Sequence, residues 1–304
     1  HLRFATLDLV RGEWRDYNFN LNNRGDAPAE GQLDMSVVNI EENAGRQPVN
    51  YVLPPGVTRI VDPGQQQITQ LNEQSMQMAI SNLQAGDARG VYKNTQLDLR
   101  NYERLQMFVH AESLIDNLTN LQNGEMSIFV RLGTDVKSNY YEYEVPLTLT
   151  PHGKYNNDSQ TDRYIVWPES NYLNFKLQTL VDLKRERNHK KMQGESGIGY
   201  GTLYTGRDPA NERNRIAVIG NPTLSDVRVM LIGVRNNSST TKAGIIWVNE
   251  LRVTDFNSEG GWAAKGNLNL GLSDIATVNV GAHYETAGFG SVDQGLNDRR
   301  MDDY

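Results

Sequence analysis

Tyr141-Glu142-Tyr143-Glu144-Val145-Pro146-Leu147-Thr148-Leu149 alternates aromatic and aliphatic side chains with carboxylates and other polar groups. Successive side chains of a strand point to opposite faces. Tyr141, Tyr143, Val145, Leu147 and Leu149 therefore share one face, and Glu142, Glu144 and Thr148 the other. A helix would scatter both sets around its axis. The pattern predicts a strand with one face in a core and a solvated carboxylate face behind it.

The same period continues outward. Leu105, Met107, Val109 and Ala111 share a face, as do Met126, Ile128, Val130 and Leu132 ahead of Gly133. Met76, Met78 and Ile80 suggest another strand. Val227, Val229 and Leu231 oppose Met230, Ile232 and Val234, the mark of a strand buried on both sides. Ile245, Trp247, Asn249, Leu251 and Val253 form the last of the set, and Trp247 is expected to be buried with them. Polar loops such as Asn156-Asn157-Asp158-Ser159 and Asn236-Asn237-Ser238-Ser239 separate these strands.

One segment reads as helix: Leu177, Leu180, Val181 and Leu183 lie at helical spacing, and Lys184 to Lys191 can continue it. Many strands and one helix predict a mainly β chain, with a jelly-roll-like β-sandwich over about residues 60 to 257. The entry Leu97-Asp98-Leu99-Arg100-Asn101-Tyr102-Glu103-Arg104-Leu105 and the closing strand Ile246 to Val253 resemble those of carbohydrate-binding modules. Residues 1 to 59 read as an irregular, short-strand segment linking to a barrel. Leu2-Arg3-Phe4, Leu7 to Val10 and Val37-Val38-Asn39-Ile40 are its short strands, and Tyr51 to Gly56 is extended before a turn.

The tail, 262 to 304, differs. Trp262, Ala264, Gly266, Leu268, Leu270 and Leu272 alternate with Ala263, Lys265, Asn267, Asn269, Gly271 and Ser273. After Ser273-Asp274, Val278, Val280, Ala282 and Tyr284 alternate with Thr277, Asn279, Gly281 and His283. Two strands of about ten residues with one apolar face fit a transmembrane β-hairpin. They equally fit a soluble amphipathic hairpin. Trp262 and Tyr284 fall at the same end, where an interfacial aromatic girdle would lie.

The chain has 304 residues, a formal net charge of −7 and no cysteine. The acidic balance argues against nucleic acid, whose binding rests on Lys and Arg facing phosphates. Lys184-Arg185-Glu186-Arg187 with Lys190-Lys191 is the one basic run, expected as a solvated helix face. Without cysteine there are no disulfides, zinc–thiolate sites or thiol nucleophiles. No apolar run reaches about 18 residues, so no transmembrane helix is expected. The start at His1 and the unclosed end at Tyr304 read as cuts in a longer polypeptide.

Signs of catalysis are sparse. No HExxH, Walker A or EF-hand pattern occurs. His1, His110, His152, His189 and His283 are too scattered to suggest a metal site. Gly194-Glu195-Ser196-Gly197-Ile198 misses a nucleophile elbow because Ile198 replaces its second glycine. Gly197-Ile198-Gly199-Tyr200-Gly201 lacks the strand and helix of a phosphate loop. Glu142 and Glu144 share a face as glycosidase carboxylates do, with the solvated face as the plainer reading. Asp87, Asp255 or Glu250 are candidates for a structural calcium. Tyr140, Tyr164, Trp167 and Tyr172 are candidates for stacking on sugars. No catalytic residue, cofactor or enzymatic activity is expected.

Several stretches in order resemble the SprA (Sov) family. They are Leu7-Asp8-Leu9-Val10-Arg11-Gly12-Glu13-Trp14-Arg15, Gln70 to Ser75, Gly86 to Thr95 and Met107 to Glu112. Asn139 to Pro146, Asn221 to Ser225, Trp247 to Arg252 and Gly260-Gly261-Trp262-Ala263-Ala264 follow. Tyr155 to Arg163 and Lys190 to Asn214 depart from the pattern. The resemblance implies a very large outer-membrane β-barrel, the translocon of the type IX secretion system, needed for gliding motility in motile species. It implies as partners a PorV-type shuttle barrel, a plug protein, secreted cargo proteins and outer-membrane lipid. The chain would then be a jelly-roll-like insertion followed by the start of a barrel hairpin, with the sandwich on the extracellular side. The alternatives are a surface carbohydrate-binding module or adhesin and, with no catalytic constellation to support it, a glycan-active enzyme.

Overall fold

The computed structural model describes residues 14–22, 30–59, 72–257, 261–272, 276–286 and 289–290. The strands of the first half are β1 (Arg15–Tyr17), β2 (Gln32–Asn39), β3 (Gln74–Leu83), β4 (Ala88–Leu97), β5 (Tyr102–Glu112), β6 (Met126–Gly133) and β7 (Tyr140–Pro146). Those of the second half are β8 (Leu173–Lys176), β9 (Tyr204–Asp208), β10 (Asn211–Ile219), β11 (Val227–Asn236), β12 (Lys242–Phe256), β13 (Ala263–Leu272) and β14 (Ala276–Glu285). The helices are α1 (Ile40–Asn43), α2 (Gln160–Val166) and α3 (Leu177–Met192).

The chain is mainly β, and the named strands pair antiparallel throughout. One seven-stranded sheet runs β1-β4-β11-β6-β7-β10-β9, and a five-stranded sheet runs β2-β3-β12-β5-β8. Their facing sides meet in one hydrophobic cluster. Met78, Met107 and Val109 enter it from the five-stranded sheet, and Ile128, Val130, Tyr141 and Tyr143 from the seven-stranded sheet. These are the same-parity residues of the sequence pattern, so the alternation places the core correctly.

Behind each sheet lies a smaller core. Val38, Val49, Tyr51, Val52, Trp167 and Trp247 pack behind the five-stranded sheet. Leu21, Ala88, Phe129 and Leu231 pack behind the other. The double burial expected for β11 follows: Ile232 and Val234 enter the main core, and Leu231 the rear one.

The structure differs from sequence expectation at four places. Paired strands begin well before residue 60: β1 joins β4, and β2 joins β3 from Gln32↔Ser81 to Asn39↔Gln74. The short strand expected at Val37 to Ile40 is the end of β2, and Ile40 already starts α1. Asn39 causes that switch, its side chain accepting from the Glu41 and Glu42 amides. A second unforeseen helix, α2, is capped by Ser159, which accepts from the Asp162 amide.

The fourth difference lies in β12. The register runs Asn249↔Phe108 and then Arg252↔Gln106, so one extra residue enters the strand. Glu250 takes φ 53° there. Such a bulge reverses the parity of everything beyond it. Trp247 is buried behind the sheet, whereas Leu251 and Val253 pack against the main core. They do not share the Trp247 face as a straight strand would require.

The strands expected at Leu2 to Phe4 and Leu7 to Val10 lie outside the described residues. So do the 273–275 connection and nearly all of 287–304.

Candidate functional site

β13 and β14 form a two-stranded sheet of their own, with ten residues in each strand. The register Ala264↔Tyr284, Gly266↔Ala282, Leu268↔Val280 and Leu270↔Val278 puts the apolar residues of both strands on one face. Lys265↔His283, Asn267↔Gly281 and Asn269↔Asn279 occupy the other. Nothing covers the apolar face among the described residues: Leu268 is 54% exposed and Val280 53%. Trp262 and Tyr284 bring their rings within 5.2 Å at the open end. A lone hairpin is marginal in water, and this one presents a continuous apolar ladder. No helix among the described residues is long and apolar enough to cross a membrane, which says nothing of strands.

The carboxylate face of β7 is not solvated. Glu142 is 1% exposed and bonds Arg131 of β6 at 2.7 Å, Arg215 of β10 at 2.5 Å and Arg235 of β11 at 3.0 Å. Glu144 is held by Arg215, Arg235 and the Ser127 hydroxyl. The arginines stand at polar-parity positions on neighbouring strands, where only the register shows that they meet. Phe129 packs beneath two of the guanidiniums, with Arg131 5.1 Å and Arg235 4.8 Å from its ring centre. Burial acts to raise the Glu142 pKa, but the Arg131, Arg235 and Arg215 charges outweigh it and hold the carboxyl well below the usual range. A glycosidase pair needs one carboxyl kept protonated as the acid. Glu142 is held ionised and so is not placed to be that acid.

The remaining candidates disperse. Tyr140 and Trp167 are buried, the Trp167 indole donating to the Val52 carbonyl. Tyr172 stacks on Phe108 at 4.7 Å, and Tyr164 is exposed. They form no sugar platform together. Asp87 accepts from the Asn22 side chain near the start of β12, whereas Glu250 and Asp255 lie toward its end. No group of three or more His, Asp or Glu is placed to hold a metal among the described residues. His110 is buried against Trp247 at 3.9 Å and meets the Val166 carbonyl, His152 meets Ser113, His189 meets Gln193 and His283 meets Glu285. His1 lies outside the described residues.

The basic run on α3 is only partly a solvated face. Lys184 and Arg187 are buried, donating to the Pro222 and Gly220 carbonyls just beyond β10, and the Tyr141 hydroxyl donates to Pro222 as well. Gly194 at φ 76° follows α3, and its amide donates to the Lys191 carbonyl. The Gly194 to Ile198 stretch is thus a helix-ending turn, with Ser196 exposed.

A family model, SprA_N, described as motility related/secretion protein, matches residues 1–304. The chain belongs to this family, and its role is related to secretion and motility. No curated protein matches it.

Proposed function

We propose that the chain forms part of an outer-membrane protein-export channel, the type IX secretion translocon, which passes folded cargo to the cell surface and serves gliding motility. The observation that carries this reading is the uncovered apolar ladder of β13 and β14 in a chain of a secretion and motility family. Ten-residue strands with one apolar face match the wall of a membrane barrel. The hairpin is the start of that wall, with its polar face toward the lumen.

The two sheets form a jelly-roll-like sandwich beside it. Supporting this is the order β3-β12-β5-β8 opposite β4-β11-β6-β7, in which the chain switches sheets at each step from β3 to β6 and again from β7 to β8 and from β11 to β12. The role is not enzymatic, and a PorV-type shuttle barrel, a plug and secreted cargo are the partners. Replacing Leu268 and Val280 with lysine puts two charges on the lipid face, each costing about 2–4 kcal/mol near the bilayer centre. Cells carrying both changes should lose surface delivery of cargo. Normal delivery, with the variant at wild-type level in the outer membrane, would sink the channel reading.

Only residues 273–275 lie between β13 and β14. Barrels of this kind make short connections on the periplasmic side. The sandwich, which precedes β13, is then extracellular. A protease site inserted after Ser239, in the exposed loop between β11 and β12, tests this. It should be cut in intact cells. Cutting only after the outer membrane is permeabilised would place the sandwich inside.

A further inference from the structure

Between the two sheets, at the end where β12 leaves for the hairpin, lies a cavity of about 700 Å3. Leu97, Met230 and Ile232 line it from the seven-stranded sheet, and Met76, Leu105 and Leu251 from the five-stranded sheet. The bulge residues Asn249, Glu250 and Leu251 line this space. β12 parts from β3 after Val248↔Met76 and regains β5 only at Arg252, turning Leu251 inward. Sites for small organic molecules span roughly 300–1,000 Å3 and have mostly apolar walls.

The charges at this cavity are unequally matched. Asp98 pairs with Arg100 at 2.8 Å, and Glu250 with Arg252 at 3.3 Å. Lys93 also lines the cavity and is half-buried, yet it has no carboxylate partner among the described residues. An ammonium beside apolar walls and without a counter-charge favours an incoming anion.

We propose that this cavity binds a long-chain carboxylate, its hydrocarbon tail between the sheets and its head group on Lys93. A single acyl chain needs no polar partner from the walls. The site is independent of the channel reading, which rests on the hairpin.

Trp14 also lines the cavity and reports on it. The 304-residue chain would be carried in phosphatidylcholine nanodiscs with Trp262→Phe, which removes the indole proposed to sit at the bilayer. Titration with a dibrominated stearate should quench fluorescence saturably, and Trp14→Phe should abolish that component. Lys93→Gln should weaken binding by about tenfold. The same variant should leave binding of the matching brominated alcohol unchanged. Thr95→Phe, which fills the cavity from its wall, should block both probes. Quenching that does not saturate, that survives Trp14→Phe, or that is equally tight in Lys93→Gln overturns the proposal.

Discussion

Glu142 touches three guanidiniums and almost no water, so its charge is an obligation of the fold. Arg131 is equally buried, at 1% exposure. Removing one member of a buried pair leaves the other uncompensated, at about 3–5 kcal/mol. Glu142→Gln should lower the unfolding free energy measured in urea by that amount, and a loss under about 1 kcal/mol would mean the arginines find other partners. The folded carboxyl titrates below its unfolded value. Its contribution is therefore complete above the ordinary carboxylate pKa of about 4.3 and is lost as pH falls through the lower, folded one. Stability measured against pH should fall on that acid side, and the Gln variant should show a shallower decline.

At the scale of elements, β11 and β12 are paired on both sides and β13–β14 only with each other. Amide exchange should be slowest in β11 and the first half of β12, and fastest in the hairpin when the chain is held in water. Equal protection in all of them would contradict the stability order the sheets imply. Strands with uninterrupted alternation, β5, β6 and β7 among them, were legible because their apolar residues of one parity are those that enter the main core. The bulge in β12 was not, since Asn249-Glu250-Leu251 contains no glycine or proline to mark it. The start of α2 did carry a signal, Ser159 three residues ahead of Asp162, the spacing of a capping box. Asn39 carried half of one, being a capping residue set among strand formers.

At the scale of the whole molecule, the sequence pattern reports faces and says little about neighbours. It placed Tyr141 and Trp247 in apolar surroundings without showing that these are different cores on opposite sides of the five-stranded sheet. It could not show that Val38 to Leu53 and Val166-Trp167 roof the second core, because that contact joins segments over a hundred residues apart. The same limit hid the arginines around Glu142, which come from three strands. The hairpin was the most legible site, because both of its faces are written within one local stretch.

β12 has one more consequence. It is fifteen residues long, sits at the middle of its sheet and is followed along the chain by the hairpin. A load applied at the hairpin and directed along β12 would meet hydrogen bonds to β3 and β5 that lie across the pull. Bonds loaded in that direction yield together, whereas a peeled edge strand gives them up one at a time. The middle position of β12 makes it a tether, fastening whatever strains the hairpin to the most protected part of the fold.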